Sequence, residues 1–193
     1  MRRELRQRRR ALSPSQRQLA ARQLAIQFDQ WHLLKPDLRI AVYLAMLGEL
    51  DLTEFIKRAR ARHCQLYVPH IINAARHQMS FIPLPVEARL KRHRWGMAQL
   101  HSAPRQRINI RQLDMVLVPT VAFDAYGNRL GMGAGFYDRH LACVHRNHWQ
   151  RPRLIGVAYA MQQVERIPTL AHDVPLSAVM TERGLHRSVQ TKT

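Results

Sequence analysis

The chain has 193 residues, and its hydrophobic fraction of 46% indicates one globular domain and excludes a disordered protein. No apolar run approaches the ~18 residues that cross a bilayer, and no apolar segment follows the charged N-terminus, so we expect no signal peptide. The two cysteines lack metal-ligand spacing. Together these features predict a cytoplasmic protein. The formal net charge of +18 favours an anionic partner, but it does not distinguish nucleic acid, a nucleotide or a polyglutamate chain.

The N-terminal half is predicted to begin with helices and then to alternate strands with a helix. An arginine-rich helix should precede Ser13, whose side chain is typical of an N-cap, and Pro14 suits the first turn of a second helix that continues to about residue 30. The elements expected next are a strand at 39–44, a helix at 52–62, a strand at 65–68 that stops at Pro69, and a strand at 79–82.

The C-terminal half continues this alternation after a long basic loop at about 83–111. An apolar strand is predicted at 115–118, a helix at 134–144 and a further strand at 153–159. Strands that alternate with helices are typical of a parallel sheet. We therefore expect residues 1–193 to form one three-layer, Rossmann-like α/β domain, in which helices cover both faces of a mostly parallel sheet.

The most informative segment lies between the strand at 115–118 and the helix that begins near residue 134. Arg129 is followed by glycines at 131, 133 and 135, and glycines let backbone amides approach a ligand without side-chain obstruction. A helix N-terminus directly behind them favours an anion such as a di- or triphosphate, and Asp138 in its first turn could hold a bridging Mg²⁺. The same glycines could simply form a tight turn, because they match neither the P-loop nor the dinucleotide-binding spacing.

The pattern F-D-x-x-G-x-R-L-G-x-G-x-G-F-Y-D over residues 123–138 closely resembles the signature of the 5-formyltetrahydrofolate cyclo-ligase family. Three further segments resemble this family in the right order, so the resemblance spans nearly the whole chain. They are the N-terminal arginine-rich helix that ends in R-A-L-S-P at residue 14, V-Y-L-A-M-L-G-E-L-D at 42–51, and H-D-V-P-L at 172–176 followed by V-M-T at 179–181.

The resemblance implies an ATP- and Mg²⁺-dependent enzyme that converts 5-formyltetrahydrofolate, with or without a polyglutamate tail, to 5,10-methenyltetrahydrofolate. It implies catalytic roles for Arg129 and Tyr137, and Mg²⁺ ligation by Asp138 and Asp173. The implied contacts to 5-formyltetrahydrofolate are Leu44, Met46, Glu49 and Trp95. The implied ATP-binding residues are Arg2, Arg6, Arg129, Leu130, Gly131, Met132, Gly133, Ala134, Gly135, Phe136 and Tyr137.

The sequence departs from the family pattern at its N-terminus. Arg2 matches the nearer of two basic ATP contacts, and the farther one would precede Met1, so either the start is truncated or Arg2 and Arg6 fill the two roles. Purely structural roles also stay open for these residues. Leu44 and Met46 could belong to the strand core, and Glu49 could cap a helix. Asp173 could be a turn residue, and Trp95 could anchor a small cluster.

Two rival functions stay open beside the cyclo-ligase. One is a diverged paralogue that binds ATP but acts on another substrate. The other is a basic nucleic-acid-binding protein, which is not the expectation because the arginines are not interleaved with stacking aromatics and no nucleic-acid-binding motif is present. We expect a monomer, since a domain of this size can bury its own core.

Overall fold

The structure is a computed structural model that describes residues 1–46, 48–88, 90–92, 98–100, 106–146, 151–170 and 173–189. Four α-helices are present in these ranges. They are α1 (Arg2–Ala11), α2 (Pro14–Gln30), α3 (Thr53–Ala61) and α4 (Phe136–Arg146). No helix in the described part of the chain combines the length and the apolarity needed to cross a membrane.

Seven strands form the main sheet, in the order β11-β10-β9-β6-β1-β2-β3. They are β1 (Arg39–Ala41), β2 (Gln65–Asn73), β3 (Gln78–Pro83), β6 (Met115–Pro119), β9 (Arg153–Val157), β10 (Ala178–Thr181) and β11 (Gly184–Arg187). The five central strands are parallel, and β3 and β11 pair antiparallel at the two edges. Two small hairpins pair β4 (Leu90–Arg92) with β5 (Ala98–Leu100), and β7 (Ala122–Phe123) with β8 (Arg129–Leu130).

Alternating strand residues pack into two separate apolar layers, because successive side chains in a strand point to opposite faces of the sheet. On one face, Leu117 of β6 packs with residues of α2 and α3, whose Phe28 and Phe55 rings meet edge to face at 4.5 Å. On the other face, Val116 and Val118 pack with residues of α4. The expected α/β fold, with helices on both faces of a mostly parallel sheet, is therefore confirmed.

The helix boundaries follow the predicted capping chemistry. Ser13 caps α2 through a capping box, in which its hydroxyl accepts from the Gln16 backbone N–H and the Gln16 side chain accepts from the Ser13 N–H. Asp51 accepts from the Thr53 N–H at 2.7 Å, where α3 begins. These local hydrogen bonds separate α1 from α2 and fix the start of α3.

Two strand predictions and one loop prediction were wrong in their extent. β2 does not stop at Pro69 but continues to Asn73, because β1 ends opposite Tyr67 and leaves an open edge that tolerates a proline. The first strand is shorter than expected and ends at Ala41. The expected loop at 83–111 contains the β4–β5 hairpin and a 3₁₀ turn at 110–112.

Candidate active site

The candidate site lies beyond the carboxyl ends of the central parallel strands, where ligands bind in open α/β sheets. The chain leaves β6, forms the β7–β8 hairpin and then enters the glycine loop (residues 131–135) that leads directly into α4. Beyond β1, the chain forms a second segment, here called the β1 turn (residues 44–46 and 48–49). The helix α1 contacts both segments.

The hairpin that presents Arg129 is held by a buried carboxylate. One oxygen of Asp124 accepts from the backbone N–H groups of Tyr126 and Asn128, and the other accepts from the Asn128 side chain and the Ile167 N–H, at 2.9–3.0 Å. Gly127 in the same turn has a φ of +82°, and a Cβ there would lie 2.5 Å from the Leu176 carbonyl oxygen. The conformation therefore requires glycine at this position.

The glycine loop presents open backbone immediately before a helix. Gly133 and Gly135 have positive φ values of +102° and +67°, and α4 begins at the next residue, Phe136. A Cβ added at Gly131 or Gly135 would meet no atom of the described protein within 4 Å. An anion could therefore approach the free N–H groups at the start of α4.

Arg129 is the buried cation of the site, and its side chain is only 4% exposed. Its guanidinium donates to a carboxylate oxygen of Asp138 in the first turn of α4 and to the backbone carbonyl oxygen of Val174. Burial lowers the pKa of Arg129, whereas the negative charges of Asp138 and Asp173 oppose that shift. The structure thus brings Arg129, Asp138 and Asp173 together, although Asp173 lies far from the other two in sequence.

Asp173 belongs to a C-terminal segment that closes one side of this group. Its backbone N–H donates to the Leu170 carbonyl oxygen, and its carboxylate accepts from the Leu170 N–H at 2.8 Å. A pocket of about 250 Å³ lies between this segment and the hairpin, with Arg129, Asp173 and Asn128 among its lining residues. The charged and amide side chains in this lining could bind a polar ligand.

Asp138 and Asp173 fit a magnesium ion better than a transition metal. Among the described residues, one oxygen of each carboxylate accepts a hydrogen bond and the other has no protein partner. No group of three or more His, Cys, Asp or Glu in the described ranges is placed to hold a metal. Two carboxylates beside an anion site are nevertheless what Mg²⁺ needs, because it takes its remaining ligands from water and phosphate oxygens.

The β1 turn places a second acidic group at the site. Glu49 is 9% exposed, and its carboxylate accepts from the Met46 backbone N–H at 3.1 Å. Burial raises the pKa of Glu49 to about 7, while the charge of Arg9 opposes the shift. Leu44 is half-buried against the core and lines a pocket of about 150 Å³ with Tyr43 and Asp51. Leu44, Met46 and Glu49 therefore lie together, whereas Trp95 lies outside the described residues.

Tyr137 connects the two segments electrostatically. It is half-buried at the start of α4, and burial together with the charge of Glu49 raises its pKa, which the Arg129 charge opposes. Its phenol is consequently protonated at neutral pH and can donate a hydrogen bond. Tyr137 therefore lies within electrostatic range of both Glu49 in the β1 turn and Arg129 beside the glycine loop.

The N-terminal arginines differ in their placement. The Nε of exposed Arg2 donates to the Gly131 carbonyl oxygen at 3.0 Å, so Arg2 lies at the glycine loop. Arg6 is half-buried and near Arg9, where its charge adds to the effect of burial in lowering the pKa of Arg9. The structure thus places Arg2 close to the predicted ATP site and places Arg6 further along α1.

Sequence reasoning missed several residues that shape the site. Arg9 is 1% exposed, and the charge of Glu49 is close enough to raise its pKa against the effect of burial. Gln162, also buried, donates to the carbonyl oxygens of Thr120 and Val121 where the chain leaves β6. The available sequence signal for Arg9 was its position four residues after buried Leu5, on the same apolar face of the helix, where an arginine is unexpected.

Comparisons with known proteins show which family the chain is similar to. The family model described as "5-formyltetrahydrofolate cyclo-ligase family" matches residues 1–182. The chain is 34% identical to the 5-formyltetrahydrofolate cyclo-ligase of Escherichia coli K12, covering 92% of this chain and 96% of that protein. It is 28% identical to the mouse enzyme of the same name, covering 94% and 92% respectively.

A solved structure extends the likeness to three dimensions. The 5,10-methenyltetrahydrofolate synthetase of Aquifex aeolicus superposes with a TM-score of 0.76 at 26% identity, covering 100% of this chain and 93% of that one. Sequence and fold therefore agree over almost the full length of both molecules. The chain with the buried arginine, the glycine loop and the acidic β1 turn belongs to the 5-formyltetrahydrofolate cyclo-ligase family.

Proposed function

We propose that this enzyme uses ATP to convert 5-formyltetrahydrofolate to 5,10-methenyltetrahydrofolate, with release of ADP and phosphate. The observation that carries the proposal is the convergence of Arg129, Asp138 and Asp173 beside an open glycine loop that begins a helix. The net charge of +18 favours anionic substrates, including folates with a polyglutamate tail. Family membership supports the folate half of the proposal.

The ATP phosphates would lie along the glycine loop at the start of α4. Backbone N–H groups and Arg2 would bind the phosphate chain, and Arg129 would stabilise negative charge on the transferred phosphoryl group. Arg129 is suited to this role because its buried side chain is already oriented by Asp138 and the Val174 carbonyl oxygen. The residues 130–137 proposed for ATP form this single continuous segment.

The folate would bind at the β1 turn, next to the phosphate site. Glu49 would accept hydrogen bonds from the folate, while Leu44 and Met46 would contact it from the same turn. Trp95 is retained as a proposed folate contact on the family resemblance. Tyr137 lies between the two segments, so its protonated phenol could donate a hydrogen bond to an oxygen at the reacting centre.

The chemistry proceeds in two balanced steps. The formyl oxygen attacks the γ-phosphorus, the bond from that phosphorus to the bridging oxygen breaks, and ADP leaves. The folate N10 then attacks the formyl carbon, the carbon–oxygen bond breaks, and inorganic phosphate leaves while N10 loses its proton. Phosphorylation is useful because a formamide oxygen is otherwise a poor leaving group.

Asp138 and Asp173 would hold Mg²⁺, which supplies charge neutralisation for the ATP phosphates when it is bound. Because the Arg129 guanidinium already binds one oxygen of Asp138, the other oxygen remains for the ion. The protein's own contribution is to position the two substrates so that the formyl oxygen meets the phosphorus.

An isotope experiment tests this route. 5-Formyltetrahydrofolate labelled with ¹⁸O in the formyl group is incubated with the enzyme, ATP and Mg²⁺, and the released phosphate is analysed by mass spectrometry. We expect one ¹⁸O atom per phosphate and one ADP per methenyl product. Unlabelled phosphate with normal product would contradict formyl-oxygen phosphorylation, and ATP binding without folate turnover would favour a diverged paralogue.

A further inference from the structure

Helix α1 contacts both halves of the proposed site. At its start, Arg2 donates to the Gly131 carbonyl oxygen in the glycine loop at 3.0 Å. In its middle, buried Leu5 belongs to an apolar cluster with Val121 and Ala122, against which Leu130 and Met132 pack. The helix therefore lies along the β7–β8 hairpin and the loop that follows it.

The C-terminal end of α1 lies against the β1 turn. A Cβ built on Gly48 would be 3.6 Å from the Arg9 carbonyl oxygen and 3.8 Å from the Arg10 Cα, so the two backbones approach closely. Gly48 has a φ of +80°, which favours glycine, and Glu49 is the next residue. The position of Glu49 is thus tied directly to the last turn of α1.

Arg9 occupies the buried face of that last turn. Its side chain is 1% exposed, which is rare for arginine because burying a charge carries a large desolvation cost. That burial lowers its pKa, and the groups that oppose the shift are Glu49, Tyr43 and Tyr159, while Arg6 adds to it. Glu49 is the acidic residue among these neighbours.

The surroundings of Glu49 consist of α1, the end of β1 and the start of α4. Burial opposes its charged form, whereas Arg9 and the hydrogen bond from the Met46 N–H favour that form. Tyr43 and Tyr137, from the other two elements, have their own pKa values raised by burial and by the Glu49 charge, and both are neutral at neutral pH. Arg9 is therefore the cation that offsets the burial of Glu49.

We propose that Arg9 is a positioning residue for the folate substrate, which it serves by holding the β1 turn and its Glu49 side chain in place from the buried face of the last turn of α1. This inference rests on the proposed function, in which Glu49 accepts hydrogen bonds from the folate. Arg9 does not touch the reacting atoms. Its removal should weaken folate binding while ATP binding, which uses the other end of α1, changes little.

The kinetic test compares Arg9→Met with Arg8→Met. Arg8 lies on the exposed side of the same helix, so its replacement removes the same charge without affecting Glu49. For Arg9→Met we expect KM for 5-formyltetrahydrofolate to rise about fivefold at pH 7, because folate affinity should follow the fraction of Glu49 that is charged, and this fraction should fall from about half to roughly a tenth. Its KM for ATP should stay within about twofold of wild type, and Arg9→Lys should restore most of the folate affinity.

The pH profile separates positioning from a purely structural effect. In wild type, folate KM should fall as pH rises through about 7, the pKa of Glu49, and in Arg9→Met this fall should move to higher pH. In a Glu49→Gln background, Arg9→Met should add no further change. Equal rises in the KM values for ATP and folate, with an unmoved profile, would show that Arg9 only anchors α1 and would overturn the inference.

A direct titration of the Glu49 carboxylate tests the inference without any measurement of catalysis. ¹³C NMR of the Glu49 carboxylate should show titration near pH 7 in wild type and at higher pH in Arg9→Met, or in Arg9→Gln if the methionine variant does not fold. An unshifted Glu49 titration would overturn the inference. Wild-type protein that shows the NMR titration but forms no methenyl product would instead contradict the proposed function.

Discussion

At the scale of single residues, a substitution at Gly131 should affect ATP binding but not the free energy of unfolding. A Cβ at this position meets no described protein atom within 4 Å, and its φ lies outside the left-handed region. Gly131→Ala should therefore change the free energy of unfolding by less than about 0.5 kcal/mol. If ATP phosphates lie on this backbone, however, the methyl group should raise KM for ATP on the order of tenfold. An unchanged KM would show that the phosphates bind elsewhere.

The burial of Glu49 makes the free energy of unfolding depend on pH. Its pKa is raised from 4.5 to about 7 by burial, so the folded protein keeps the proton over a range in which the unfolded chain has released it. The contribution of this proton to stability is fully present below pH 4.5 and is lost as pH rises through about 7.

The corresponding prediction concerns Glu49→Gln. Relative to this variant, wild type should lose about 3 kcal/mol of unfolding free energy between about pH 4.5 and about pH 8, measured by urea denaturation in the absence of ligands. The variant cannot titrate at residue 49, so its profile supplies the baseline. Parallel profiles for the two proteins would contradict a buried Glu49 with a raised pKa.

At the scale of elements, the β7–β8 hairpin is a rigid support for Arg129. Asp124 accepts four hydrogen bonds, and the Gly127 carbonyl oxygen accepts from the Leu176 N–H, which ties the hairpin to the C-terminal segment that carries Asp173. Arg129 on the hairpin and Asp173 in the C-terminal segment are therefore held near each other by a backbone contact.

Gly127→Ala should damage this support. The added Cβ would lie 2.5 Å from the Leu176 carbonyl oxygen and 2.4 Å from the Ser188 hydroxyl, at a φ of +82°. We expect a loss of about 2–4 kcal/mol in the free energy of unfolding, from strain and overpacking together. Urea denaturation beside Gly131→Ala supplies the matched comparison, and equal stabilities of the two variants would contradict the proposed difference between their sites.

The same elements show what the sequence could and could not predict. The capping box at Ser13 and the order of glycines before α4 are local patterns, and both were confirmed in the structure. The extension of β2 past Pro69 was missed because it depends on where its neighbour β1 ends. The contact between Arg9 and the β1 turn depends on long-range packing, which spacing along the chain does not encode.

At the scale of the whole molecule, the fold brings together residues from distant parts of the chain. Glu49 follows β1 and Arg129 follows β6, whereas Asp173 precedes β10 and lies in a segment whose Val174 carbonyl oxygen accepts from the Arg129 guanidinium. Helix α1 then lies across the glycine loop and the β1 turn, so both proposed substrate sites share one element. Such an arrangement suits a reaction that must hold two substrates in contact.

The most direct measurement follows the absorbance of methenyltetrahydrofolate after the protein is mixed with 5-formyltetrahydrofolate. Wild type, Asp138→Asn and Glu54→Gln are compared with and without ATP and Mg²⁺. Glu54 is an exposed carboxylate on α3 that pairs with Lys57, and its replacement controls for the change of charge. Thermal unfolding verifies that each variant is folded.

We predict an absorbance rise in wild type and Glu54→Gln that requires both ATP and Mg²⁺. In folded Asp138→Asn the rate should fall by at least about a hundredfold, because the variant loses a proposed metal ligand and the partner of Arg129. No absorbance rise from folded, ATP-binding wild type, or full activity in Asp138→Asn, would contradict the account.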